Sequence, residues 1–60
     1  SSLRDKFRAA SVKRSMGLLA EKENETPKAV ELLREALSVF ESLKSPKAED
    51  TRRDLERLEG

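Results

Sequence analysis

The side chains of this chain that could take part in chemistry are carboxylates and hydroxyls, because the sequence contains neither histidine nor cysteine. Glu21, Glu23 and Glu25 alternate along one short stretch, and clustered acids can act in general acid–base catalysis when burial shifts their pKa values. Their neighbours are polar, so a hydrated acidic turn is expected instead. Ser11 and Ser15 stand one helical turn apart, but no base is present to activate either hydroxyl. The sequence therefore predicts no enzyme.

Metal and cofactor binding are not predicted either. Without Cys and His the usual zinc ligands are missing, and disulfide bonds cannot form. The acidic residues do not follow the spacing of a calcium-binding loop, and no glycine-rich loop could cradle a phosphate. A function based on binding through the protein surface is what remains.

Charge is distributed unevenly along the chain. Residues 1–22 contain six Lys and Arg residues against two acidic ones, a balance of +4, whereas residues 23–60 contain seven basic and ten acidic ones, a balance of −3. A basic segment attracts acidic peptides, phosphates or nucleic acid. The chain has no Trp or Tyr and only two Phe residues, which leaves few rings for base stacking. A basic helical nucleic-acid binder therefore stays as an alternative to protein binding.

Three amphipathic helices and no strand are predicted to carry these side chains. The helices are expected over about residues 2–22, 27–44 and 46–58. The links between them are short, which makes consecutive helices antiparallel neighbours. The predicted fold class is all-α, an antiparallel helix-turn-helix hairpin with a third, capping helix. Residues 1–60 would form a single helical domain or a fragment of one.

The predicted helix starts rest on capping residues. Ser2 is expected to cap the first helix, because its hydroxyl can accept a hydrogen bond from the first turn. Thr26 and Ser45 are each followed by proline, so both are expected to be caps, with Pro27 and Pro46 at the first helical position.

Apolar residues form stripes of different width on the three helices. The second helix has the clearest one, at 3-4-3-4 spacing: Ala29, Leu33, Ala36, Phe40 and Leu43. The first helix has two narrower stripes, one with Val12, Met16, Leu19 and Ala20 and one with Leu3, Phe7, Ala10 and Leu18. The third has a thin stripe of Ala48, Leu55 and Leu58, with Thr51 between. Gly17 interrupts the first helix, which predicts a close helix crossing there.

Residues of the first two helices resemble the tetratricopeptide repeat. Its first helix has a large apolar residue followed by Gly or Ala, as in Met16-Gly17, and its second helix has a small, a bulky and a small residue at the spacing of Ala29, Leu33 and Ala36. Small residues let the helices cross closely and the bulky one fills the gap. The resemblance covers about residues 10–43, and the third helix looks like the cap of a repeat array.

The resemblance implies a non-catalytic protein-binding or scaffold module. The first helix of such a repeat lines a concave surface, and an acidic or C-terminal carboxylate-bearing peptide with an apolar side chain would suit it. The implied partner-binding residues are Arg4, Arg8, Ser11, Arg14, Ser15, Leu18 and Lys22. Leu18 stands where the family's chaperone-tail clamp has an Asn, so binding of chaperone tails is not predicted.

A single repeat rarely builds a sufficient core, since the family usually needs at least three. The chain is therefore predicted to be the terminal repeat of a larger array, docking to further repeats, or to self-associate as a homo-oligomer. Leu3, Phe7 and Leu18 are expected to form the stripe that this association buries.

A second family competes with the first. The small-residue spacing of the second helix is also similar to that of the microtubule-interacting and transport domain, a three-helix bundle that binds partner helices.

The expected location follows from two missing signals. No apolar run reaches the roughly 18 residues that span a membrane. The first residues lack a hydrophobic signal region. An intracellular, cytoplasmic protein that does not bind membranes is expected.

Overall fold

The computed structural model describes residues 2–60 and confirms the all-α prediction. It contains three α-helices: α1 (Leu3–Lys22), α2 (Thr26–Ser42) and α3 (Lys47–Glu59). Within residues 2–60, no helix is both long enough and apolar enough to cross a membrane.

Contacts between side chains give the helix directions. Phe7 near the start of α1 packs against Phe40 near the end of α2, so these helices run antiparallel. Glu41 pairs with Arg52, and Arg34, farther back along α2, pairs with Glu59 at the end of α3. The helices α2 and α3 are therefore antiparallel as well. The helix α2 packs on both α1 and α3, and it forms the centre of the fold.

The predicted caps are partly confirmed. Ser2 caps α1, because its Oγ accepts a hydrogen bond of 3.2 Å from the backbone N–H of Asp5. For α3 the prediction is wrong in position: Pro46 is the N-cap and the helix begins at Lys47, although Ser45 Oγ accepts a hydrogen bond of 3.1 Å from the N–H of Lys47. The prediction for Thr26 is wrong: it is the first residue of α2, and no side chain caps that helix.

Both interhelical turns end their helices with a residue in the left-handed region. Asn24 has φ 62° and Lys44 has φ 56°. The N–H of the next residue reaches back to the helix in each case: Glu25 to the carbonyl of Ala20, and Ser45 to that of Phe40, both at 2.9 Å. This is the Schellman arrangement, which satisfies carbonyls at the helix end. Glycine is the usual residue at this position, and the sequence has none there, so the turns carried no glycine signal.

Replacing Lys44 by glycine is expected to stabilise the protein. A lysine at φ 56° carries a steric penalty from its Cβ that glycine does not have. We expect a gain of about 0.5–1 kcal/mol in the free energy of unfolding, a rise of several degrees in Tm for a domain of this size. Thermal melts followed by circular dichroism measure it. Asn24→Gly is the matched control and should gain less, since asparagine tolerates this conformation. An unchanged or lower Tm for Lys44→Gly would contradict the expectation.

The core follows the predicted stripe of α2. Leu33 and Phe40 are completely buried in it, together with Ala29 and Ala36. The ring centroids of Phe7 and Phe40 lie 5.6 Å apart in an edge-to-face arrangement, a favourable geometry for aromatic pairs. The predicted stripe therefore defines the inner face of α2.

Gly17 marks the close crossing that the sequence predicts. A Cβ at this position would lie 2.9 Å from Leu33 Cγ and 3.3 Å from the carbonyl oxygen of Ala29. Since real Cβ atoms do not approach so closely, only glycine fits without a shift of α2. The buried residues of α1 are Gly17 and two alanines, Ala10 and Ala20.

The helix α3 buries its thin stripe and one charged residue. Ala48, Thr51 and Leu55 are buried as the spacing predicts, while Leu58 is half-buried. The hydroxyl of Thr51 donates a hydrogen bond of 2.8 Å to the carbonyl of Lys47, which satisfies it inside the core. Asp54 is also buried, which the apolar spacing of α3 did not indicate.

Candidate protein-interaction surfaces

An apolar groove of about 500 Å³ lies between α1 and α2. Its apolar lining comes from Ala9, Val12 and Met16 of α1 and from Leu32 of α2. Val12 is 54% exposed and Met16 is 48% exposed, which is high for large apolar side chains on a helix with one packed face. Leu19, one turn beyond Met16, is 56% exposed and extends the apolar surface toward the end of α1.

The groove lies on the side of α1 that faces away from α3. Side chains of α1 that reach α3 belong to Arg14 and Glu21. At 100° per residue these positions lie about 160–180° around the helix from Val12. The hairpin is therefore covered by α3 on one side and open along an apolar surface on the other.

Charged residues border the groove. Asp5, Arg8 and Lys13 line it from α1. Lys13 Nζ lies 2.9 Å from Glu35 Oε1 across the groove, so this pair neutralises itself. Arg8 has no ion pair within residues 2–60, and the same holds for two exposed cations that lie on the same side of α1: Arg4 and Lys22.

The predicted partner-binding residues do not form one continuous exposed stripe. Four of them are exposed: Arg4, Arg8, Ser15 and Lys22. The other three, Ser11, Arg14 and Leu18, are half-buried. Ser11 Oγ is enclosed and has no hydrogen-bond partner within residues 2–60. The binding role of these residues stays a prediction, and the exposed four are the ones that a partner can reach.

Arg14 is held inside the protein by an ion-pair network. Its Nε donates to Asp54 Oδ2 at 3.1 Å, and its terminal nitrogen lies 3.0 Å from the same oxygen. Arg57 donates to Asp54 Oδ1 at 3.1 Å and to Glu21 at 2.6 Å. The network connects α3 to α1. Arg14 pairs with Asp54, and Glu21, farther along α1, pairs with Arg57, farther along α3, so these two helices run in the same direction. Asp54 is the centre of the network, and each of its oxygens accepts from one arginine.

The network shifts the ionisation of its outer members. The hydrogen bond from Arg57 holds the pKa of the Glu21 carboxyl below its usual value, in spite of an opposing effect of burial. The same hydrogen bond raises the pKa of Arg57, whose second partner is Asp54. Arg57 therefore stays charged at any pH at which the protein folds, and the lowered pKa of Glu21 makes its ion pair with Arg57 depend on pH.

The ion pair of Glu21 is expected to stabilise the protein at neutral pH and not in strong acid. Because the pKa of Glu21 is lower in the folded state than in the unfolded state, its contribution is complete above the unfolded pKa. It disappears as the pH falls through the folded pKa. We expect Glu21→Gln to lower Tm at about pH 7 and to lower it by less at about pH 3.

Thermal melts of the wild type and the variant at both pH values test this. Glu23→Gln is the control, because this exposed neighbour has no ion pair among residues 2–60. An equal drop in Tm for Glu21→Gln at both pH values would exclude the ion pair as its cause.

The residues expected on the uncovered stripe are only partly exposed. Leu3 is 68% exposed, whereas Phe7 and Leu18 are half-buried within the chain. Phe7 packs against Phe40, so most of its ring already has a neighbour. The expectation that this stripe is the one left uncovered is corrected by these burials. Within residues 2–60 the exposed large apolar side chains are Leu3 of that stripe and Val12, Met16 and Leu19 of the other. Whether Leu3, Phe7 and Leu18 take part in association stays a prediction.

The acidic turn forms no metal site. Glu21 is used in the ion pair with Arg57, and Glu25 lies 3.8 Å from Lys28 Nζ. In the part of the chain that the structure describes, no three acidic side chains converge as ligands of a metal ion would.

Sequence reasoning missed the direction in which the open side points. The signal was present in the small residues of α1: Ala10, Gly17 and Ala20 are its buried residues. The bulky Val12 and Met16 lie about 90–130° around the helix from their mean direction, so they flank the contact with α2 and stay exposed. The buried Asp54 had no such signal, because a charged residue on a mostly charged helix looks exposed.

The comparisons with known proteins give no family for this chain. No family model, no curated protein and no solved structure matches it.

Proposed function

We propose that this chain is a non-catalytic protein–protein interaction or assembly module of the tetratricopeptide type. The close crossing of α1 and α2 at Gly17, with Ala29 and Leu33 opposite, supports the resemblance to the helix pair of that repeat. The observation that carries the proposal is the open apolar groove on the side of the hairpin that α3 does not cover. An exposed apolar surface with a polar border is typical of a protein-binding site.

An assembly role fits the same surface. A helical repeat buries its apolar side by stacking on a neighbour, and the groove is the side on which a neighbouring helix pair would stack. The cytoplasm, where disulfide bonds are rare, is the proposed location for a chain without cysteine.

Selection of binding peptides from an unbiased display library tests the proposal. We expect enriched peptides whose binding is lost in Met16→Asp and Leu19→Asp and kept in Leu3→Asp. The side chains of Leu3, Met16 and Leu19 are exposed, so the three variants should remain folded. Failure to enrich any peptide would contradict the proposal. Salt-sensitive binding to oligonucleotides that is lost on replacing Arg4 and Arg8 would favour the nucleic-acid alternative instead.

A further inference from the structure

We propose that the groove between α1 and α2 binds an amphipathic helix of a partner protein, with acidic residues on the side that lies along α1. This inference rests on the proposed function and names the partner chemistry of the same surface.

The shape of the apolar surface fits a helix. Val12, Met16 and Leu19 follow each other at spacings of four and three residues along α1, and Leu32 closes the groove from α2. With this spacing, the side-chain ridges of a partner helix can pack between the side chains of α1, as they do where an amphipathic helix occupies a hydrophobic groove. An extended peptide would not match the repeat of 3.6 residues. The groove therefore favours apolar residues presented at helical spacing.

The charges around the groove indicate the sign of the partner. On the α2 side, Lys13–Glu35 and Lys28–Glu25 are paired, and the exposed Glu31 is an acid without an ion pair within residues 2–60, so the unpaired cations belong to α1. On the outer side of α1, Arg4, Arg8 and Lys22 are exposed and have no ion pair within residues 2–60.

Asp5 is the one acid that lines the groove beside these cations. Glu23, exposed at the end of α1 and without an ion pair within residues 2–60, is a second acid beside these cations. Three cations against two acids leave the α1 border with an excess of one positive charge. Carboxylates along the edge of a docked helix would complement it, which favours the correct partner and its orientation.

A second copy of the chain fits less well when α1 pairs with α1. In an antiparallel pair the same borders of the two helices face each other. The cations Arg8 and Lys22 of one copy would then meet those of the other, and like charges across an interface oppose association. The same positive border that repels a second α1 attracts an acidic helix.

The probe for the test is a synthetic helical peptide of about 18 residues, or five turns. It carries leucine at helical spacing on one face and glutamate on the flanks. Its matched control has lysine in place of every glutamate. Binding to the full chain is measured by fluorescence anisotropy at low and high salt. We expect the acidic peptide to bind at least roughly tenfold more tightly than the basic one, and high salt to reduce this difference.

Variants of the protein locate the binding. Met16→Asp and Leu19→Asp should each weaken the acidic peptide by roughly tenfold or more, because a carboxylate would enter the apolar contact. Arg8→Ala with Lys22→Ala should weaken it several-fold and remove most of its salt dependence. Leu3→Asp is the control on the same helix and should leave binding unchanged. Circular dichroism verifies that every variant stays helical.

Three results would overturn the inference. The first is equal binding of the acidic and basic peptides, and the second is binding that Met16→Asp and Leu19→Asp leave unchanged. The third is a dimer in sedimentation equilibrium that the acidic peptide cannot dissociate and Leu19→Asp does, which would assign the groove to a second copy. The proposed function fails separately, when no peptide of any charge is enriched from the unbiased library. Enriched peptides that are basic, or bind elsewhere, refute only this inference.

Discussion

Replacing Phe40 by alanine is expected to leave the chain largely unfolded at room temperature. The side chain of Phe40 is completely buried, and its ring is the edge-to-face partner of Phe7. Removing a buried phenylalanine side chain costs about 3–5 kcal/mol, because burial is lost and a cavity remains. In a domain of 60 residues a single hydrophobic core rarely supplies more than about 3–5 kcal/mol of stability. The loss therefore consumes most or all of it.

Far-ultraviolet circular dichroism with urea titration measures the effect of Phe40→Ala. Phe40→Leu is the graded variant and should keep a cooperative transition at lower urea, since leucine fills part of the space. Leu3→Ala, at an exposed leucine, should change the free energy of unfolding by no more than about 0.5 kcal/mol. A Phe40→Ala protein with the midpoint of the wild type would show that the aromatic pair does not support the fold.

Replacing Gly17 by valine is expected to cause the second-largest loss in the free energy of unfolding. Here the cause is overpacking, whereas Phe40→Ala leaves a cavity. The Cβ alone would come within 2.9 Å of Leu33 Cγ, and Leu33 is completely buried and has no free space to move into. The backbone carbonyl of Ala29, at 3.3 Å, blocks the neighbouring direction. The helices α1 and α2 must separate, at a cost of about 2–3 kcal/mol, which exceeds the few tenths that valine gains over glycine in helix propensity.

Ser15→Val on the exposed side of α1 is the matched control, and it should destabilise by only a few tenths of a kcal/mol. A double-mutant cycle gives the sharper test. Gly17→Ala combined with Leu33→Ala should be less destabilising than the sum of the two single changes, because the smaller residue at 33 relieves the clash. Strict additivity would show that Leu33 is not what the added Cβ meets.

The sequence predicts the helix pair well because packing leaves a regular trace. The 3-4-3-4 spacing from Ala29 to Phe40 and the interruption at Gly17 both report a close crossing, and the structure contains that crossing. The Ser2 cap was found for a similar reason, since a serine just before the first helical residue is a local signal of a helix start.

The features that sequence reasoning missed depend on tertiary contacts. Lys44 adopts the left-handed conformation because the turn between α2 and α3 requires it, although lysine has no preference for it. Asp54 is buried because Arg14 and Arg57 approach it from two helices. Neither can be read from neighbouring residues.

The same limit applies to the candidate site. The sequence identified two apolar stripes on α1 and predicted that the one with Leu3, Phe7 and Leu18 stays uncovered, which is wrong for Phe7 and Leu18. The structure half-buries Phe7 and Leu18 and leaves Val12 and Met16 open, because the small residues of α1 determine which side meets α2. Arg4 and Arg8, which the sequence analysis named as candidate partner-binding residues, are exposed in the structure.

The most direct test of the account is to map, by amide correlation spectra of isotope-labelled protein, where a peptide selected from the unbiased library binds. The account predicts chemical-shift changes concentrated at Val12, Met16 and Leu19 of α1 and at Leu32 of α2, with α3 unaffected. Changes confined to α3, or no change in any part of the protein, would contradict a binding surface between α1 and α2.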